Sequence, residues 1–186
     1  MNTHRLITII ALVAMAAALI APAASAWDGR RKGFVAGFGM GATPAAHLSR
    51  DYADYSSTET GFSMQVLLGY ALNEHWLLAY DANVAFVRPD YVDTYSVPGV
   101  RSLSVYWYPG TPGHSVFVAG GVGRQVSQGS SFNGGASTGW GYTLGVGYEP
   151  LRHVQFGAYY LGGSTSDRGF TSRDDVLNLL VTIVGY

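Results

Sequence analysis

GWGYTLGVGYE (Gly139–Glu149) reads in strict alternation. Trp140, Tyr142, Leu144, Val146 and Tyr148 fall on one side; Gly139, Gly141, Thr143, Gly145, Gly147 and Glu149 fall on the other. A period of two belongs to an extended strand, whose successive side chains point to opposite faces. One face here is bulky and apolar along its length. The other carries little side-chain volume, which suits a narrow enclosed space better than a surface in water.

The same signature recurs along the chain. GFVAGFGMG (Gly33–Gly41) sets Phe34, Ala36, Phe38 and Met40 against Gly33, Val35, Gly37, Gly39 and Gly41. GFSMQVLLGY (Gly61–Tyr70) sets Phe62, Met64, Val66, Leu68 and Tyr70 against a face holding Gln65. WLLAYDANVAF (Trp76–Phe86) sets Trp76, Leu78, Tyr80, Ala82, Val84 and Phe86 against Asp81 and Asn83. Val100–Tyr108 and His153–Gly162 alternate likewise. Ser115–Gln125 and Asp175–Tyr186 are apolar on both faces, so alternation alone does not fix their phase. These segments predict eight strands.

The connections alternate too. Residues 71–75, 109–114 and 149–152 read as short turns, and 42–60, 88–99, 126–138 and 163–174 as longer polar loops. An up-and-down meander with an even number of strands places all short turns at one end and all long loops at the other. A strand that crosses a bilayer needs about 9–11 residues, and a sheet in lipid must close, because lipid cannot satisfy an open edge. The expected fold class is all-β: an eight-stranded antiparallel up-and-down transmembrane barrel whose bore is filled by side chains. Gln65, Asp81, Asn83 and Tyr106 are expected to face that bore, with Arg124 a candidate partner for Asp81 if it also points inward. Tyr70, Trp76, Trp107, Tyr108, Tyr148 and Tyr186 all fall near the short-turn end and are expected to form an aromatic belt.

Composition agrees. Charged residues make up 12% of the 186, against about 25% in ordinary soluble domains, while glycine (25 residues) and aromatics (13%) are abundant. The absence of cysteine excludes disulfides and thiolate metal sites. A net charge of −1 offers no basic field for nucleic acid. At the N-terminus, Arg5, the apolar run LITIIALVAMAAAL (Leu6–Leu19) and ASA (Ala24–Ala26) form a cleavable secretory signal over residues 1–26, leaving a barrel domain over 27–186.

RDYADYS (Arg50–Ser56) and PDYVDTYS (Pro89–Ser96) align with an offset of 39 residues, which sets Asp51 on Asp90 and Asp54 on Asp93. His75, His114 and His153 are also 39 apart, each opening a strand after a short turn. The period therefore belongs to a hairpin unit and not to a duplicated site. The three histidines stand at different points of the rim, so they are read as polar rim residues and no metal is assigned. By the same spacing, Leu78, Phe117 and Phe156 are expected to share the lipid-facing side.

FVAGFGMG in the first strand, GYTLGVGYEP (Gly141–Pro150) and the ending LLVTIVGY are the residues by which the chain resembles the small eight-stranded outer-membrane barrels, the OmpX/Ail type and the OmpA transmembrane domain. The resemblance implies a bacterial outer-membrane protein with extracellular loops and a periplasmic N-terminus. It implies folding by the barrel-assembly machinery, which would read Tyr186 as the terminal aromatic signal.

The functional expectation is a non-enzymatic surface protein acting through its four loops, in envelope integrity, adhesion or resistance. Its expected partners are outer-membrane lipid, lipopolysaccharide and a host or environmental surface ligand, with no cofactor. Arg88 and Arg101, with Asp51, Asp54, Asp90 and Asp93, are the candidate rim for lipopolysaccharide phosphates and shared cations; Arg173 and Asp175 are expected at the same end. Two alternatives remain open. His47, with Ser49 and Asp51, looks like the His-x-Ser of lipid A 3-O-deacylases, but falls in the first loop and not on a late strand, so no catalytic residue is assigned. A narrow pore is the other.

Overall fold

Eight strands form in chain order: β1 (Gly33–Arg50), β2 (Tyr55–Ala71), β3 (Trp76–Val87), β4 (Ser96–Trp107), β5 (Ser115–Gly129), β6 (Ser137–Leu151), β7 (Val154–Asp167) and β8 (Phe170–Gly185). Each pairs antiparallel with the next, and β8 returns to β1, so the sheet closes as a barrel without an edge. The computed structural model describes residues 30–50, 55–89, 95–129, 137–167 and 170–186. The segment read as a signal (1–26) and Asp51, Asp54, Asp90 and Asp93 lie outside the described residues.

The alternation translates directly into two faces. Phe38, Val66, Leu78, Leu103, Val118, Leu144, Phe156 and Ile183 are exposed on the outer wall. Gln65, Asp81, Asn83, Ser102, Thr143, Gln155, Asn178 and Thr182 are buried in the bore. An apolar exterior around a polar interior inverts the usual soluble arrangement and matches a barrel solvated by lipid.

The strands are longer than alternation suggested. Of the segment read as the loop 42–60, residues 42–50 and 55–60 are strand. On β2 polar residues occupy both faces over Ser56–Thr60, so the hydrophobic period vanishes although the backbone ladder continues. β1 carries a bulge between Thr43 and Ala46, around Pro44, where the register shifts against both neighbours. One extra residue reverses which side chains point inward. Thr43 is buried, and past the bulge Ala46 and Leu48 are buried while His47 is exposed.

The phase of β5 and β8 is now fixed, and β5 corrects an expectation. Phe117 is fully buried in the bore, not on the lipid side. Its ring lies 5.9 Å from that of Tyr106, 5.5 Å from Tyr108 and 6.3 Å from Tyr159. The residue after His75 faces outward, whereas Ser115, after His114, is buried. The longer turn before β5 shifts the phase by one residue. Gly147 on β6 makes the space: a Cβ there would collide with the Phe117 ring. Gly145 does the same for Tyr159.

Candidate functional site

The bore is crossed by a polar network that joins neighbouring strands and, through Thr182–Gln65 and Asn178–Asn83, strands that are not neighbours in the sheet. Tyr106 donates to Asp81 Oδ2 at 2.5 Å, and Gln65 Nε2 donates to both Asp81 oxygens at 3.0 and 3.2 Å. Thr182 on β8 donates to Gln65 Oε1 at 3.0 Å. Thr43 donates to Asn178 Oδ1 and Asn178 Nδ2 to Asn83 Oδ1, each at 2.7 Å. Such bonds satisfy buried polar groups that neither lipid nor bulk water reaches. The four expected bore residues are all here. Arg124 is not: it is exposed on the outer wall, so Asp81 is held by neutral donors instead.

The short-turn end is closed by a group that the sequence pattern did not flag. Arg31, just before β1, is fully buried, with its guanidinium carbon 3.6 Å from the centre of the Tyr108 ring and 5.6 Å from that of Tyr186. It donates to Glu149 Oε2 at 3.2 Å and to the Glu74 carbonyl. Tyr186 donates to the same carboxylate at 2.7 Å, Gln155 at 3.2 Å and the Gly113 amide, to Oε1, at 2.6 Å. A carboxylate with this many donors is fixed in position, and the cation stacks on aromatic faces. Tyr108 and Tyr186 therefore leave the expected belt. Tyr70, Trp76, Trp107 and Tyr148 are exposed on the wall as expected. Parity already placed Tyr108 on the face of Tyr106, and Tyr186 on that of Asn178 and Thr182.

The turn histidines act locally. His75 Nδ1 lies 2.7 Å from the Tyr108 carbonyl oxygen and His153 Nδ1 2.9 Å from that of Val184. His114 and His153 have φ of 100° and 71°, uncommon for non-glycine residues. For His153, the ring contact to the neighbouring strand helps hold that backbone.

At the long-loop end, the predicted rim separates. Arg88 and Arg101 are both exposed, but Arg101 pairs with Ala82, six residues before Arg88 on β3. The two are therefore about 20 Å apart along the strand direction. Arg101 instead stands directly across from Arg124 on β5. The four rim aspartates fall outside the described residues. Parity within β5, once its phase is known, is the signal that finds Arg124.

His47 lies on β1, not in a loop. Its Nε2 is 3.2 Å from Ser56 Oγ and its Nδ1 3.3 Å from Thr58 Oγ1. Its cross-strand partner on β8, Asp175, accepts a hydrogen bond from Tyr160 at 2.9 Å.

A family model described as outer membrane protein beta-barrel domain matches residues 9–183. Among solved structures, Neisserial surface protein A is 17% identical, with a TM-score of 0.55, covering 81% of this chain and 96% of its own. Ail, the attachment invasion locus protein of Yersinia pestis, is 15% identical, with a TM-score of 0.51, covering 82% of this chain and 99% of its own. At these identities the likeness is one of fold. No curated protein matches the chain.

Proposed function

The chain belongs to the outer-membrane β-barrel domain family, and on that premise we propose that it is a non-enzymatic surface barrel acting through its long-loop end. The short turns and the N-terminus face the periplasm, after removal of residues 1–26 as a signal. The four long connections face outward, where they meet lipopolysaccharide and a host or environmental surface ligand. Tyr186 serves first as the assembly signal read by the barrel-assembly machinery, then as part of the closure around Glu149. One observation carries the reading. The bore is crossed by side-chain bonds, whereas Arg101, Arg124 and Arg173 are exposed at the upper margin of the apolar wall. A partner is therefore offered the outside of this protein and not a passage through it. Attachment, part of the Yersinia neighbour's name, is the role most directly open to such loops.

Deletion of each long connection in turn, scored for cell adhesion, detergent sensitivity and lipid A composition, is expected to change adhesion or detergent sensitivity. It is expected to leave lipid A composition unchanged. Unaltered adhesion and sensitivity across all four deletions would reject the reading. Planar-bilayer conductance is expected to stay at background; a steady open conductance would favour the pore.

One observation favours a second reading, ester hydrolysis in lipid A: His47 holds the Ser56 hydroxyl within reach of Nε2. The third position, which needs a group that orients and charges the histidine, is taken by the neutral Thr58 hydroxyl. Changing His47 to Ala is accordingly expected to leave the lipid A mass spectrum of whole cells unaltered. Loss of a deacylated species would establish the enzyme.

A further inference from the structure

The outer wall is not uniform. Between β5 and β8, at the upper edge of the apolar band, it holds an open groove of about 740 Å³. Val122 and the rings of Tyr142 and Tyr160 line it, with Trp140, Arg173 and Asp175. The two tyrosine rings are 6.1 Å apart and tilted by 42°. Tyr142 lies over Gly162, where a Cβ would meet its hydroxyl, so the ring rests close against the sheet. Trp140 is 77% exposed, against 45% for Trp76 and 41% for Trp107 on the same wall.

Register places three arginines on one line with this groove. Arg101, Arg124, Trp140, Ser164 and Arg173 are successive cross-strand partners from β4 to β8. Arg101 and Arg124 are like charges directly opposite each other, an arrangement that is destabilising unless an anion lies between them. Arg124 reaches Thr138 at 3.4 Å, and neither Arg101 nor Arg173 has an ion-pair partner among the described residues. Arg124 and Arg173 are three strands apart, about 14 Å at the usual spacing. That distance is comparable to a disaccharide with a phosphate at each end.

The remaining groups narrow the chemistry. Asp175, in the groove, accepts from Tyr160 and would repel a headgroup that offered only negative charge. A sugar brings hydroxyl donors that its free acceptor capacity can take. Sugar rings also present C–H faces that pack on exposed aromatic side chains. Below the groove, Val122, Leu144, Leu177 and Leu179 continue an apolar surface suited to acyl chains.

We propose that this groove binds the phosphorylated disaccharide headgroup of a membrane glycolipid. One phosphate sits at Arg173 and the other between Arg124 and Arg101. The sugar lies against Trp140 and Tyr142, with hydroxyls toward Asp175. The site rests on the reading that lipopolysaccharide meets the long-loop end, and it moves the specific contact from Arg88 to one sector of the wall.

The test uses the purified, folded barrel in zwitterionic micelles, with affinity measured for lipid A, for dephosphorylated lipid A and for phosphatidylglycerol. Native folding of each variant is checked by heat-modifiable gel migration. Lipid A is expected to bind, and removal of its phosphates to weaken it about tenfold or more, as expected for lost charge-assisted hydrogen bonds. Arg173→Gln and Arg124→Gln are each expected to weaken lipid A about tenfold, and Trp140→Ala severalfold, while Arg88→Gln leaves it unchanged. If Arg88→Gln weakens binding and the groove variants do not, the groove is overturned and rim contact stands. Equal binding of phosphorylated and dephosphorylated lipid A by every variant rejects both. Equally tight phosphatidylglycerol, lost with the same variants, overturns recognition of the sugar.

Discussion

The two ends of this barrel treat charge in opposite ways. At the short-turn end Arg31 is fully buried and meets Glu149, Tyr108 and Tyr186, all contributed by the same chain. At the other end Arg101 faces Arg124 across a strand pair, and Arg173 stands beside a groove. A buried charge left alone costs far more than an exposed one, so the first end had to be satisfied within the protein. The second borders headgroups and water, where an external partner can complete it. The contrast separates a structural closure from a surface built for association.

The largest expected effect comes from breaking the closure. Glu149→Ala leaves Arg31 buried without its counter-charge and removes the acceptor for Tyr186, Gln155 and the Gly113 amide. The cost should be about 3–5 kcal/mol, the range for opening one side of a buried ion pair. Urea unfolding of the purified barrel in micelles measures it. A wild-type midpoint for this variant would mean that the closure does not hold this end together. Next in size is Gly147→Val, which drives a side chain into the Phe117 ring. Overpacking of this kind costs about 1–3 kcal/mol. Phe117→Ala added to the same chain should recover part of the loss; no recovery would locate the strain elsewhere.

These sites also mark how far the sequence could be read. The eight strands, their order and the outward face of six of them follow from alternation, because lipid outside and a tight bore inside demand opposite residues at successive positions. The sequence does not place Phe117 because β5 is apolar on both faces; a bore residue there is bulky only because Gly145 and Gly147 on β6 are small. Such compensation between strands has no local signature. Arg31 was invisible for another reason. It lies outside any strand, and one arginine in RRK (Arg30–Lys32) does not announce that it enters the barrel mouth. Arg101 was legible as a residue of the long-loop end, but its partner was not, since register decides who stands opposite. His47 reads as a loop residue because the Pro44 bulge breaks the parity that marks a strand.

The smallest expected effect is the most informative about the outer wall. In micelles without glycolipid, Arg101→Gln or Arg124→Gln alone should raise the unfolding free energy slightly, by less than about 1 kcal/mol, because either removes the same cross-strand repulsion. The double variant should then add almost nothing beyond one single variant. That shortfall from additivity is the coupling between the two charges. With lipid A present the sign should reverse, since an anion between the guanidiniums stabilises the folded barrel through binding and each substitution weakens that gain. A stabilising substitution that turns destabilising when one ligand is added is not expected of a rim that merely keeps its charges solvated. Equal behaviour with and without lipid A would place both arginines in that simpler class. The short-turn closure would remain a charge site completed within the protein.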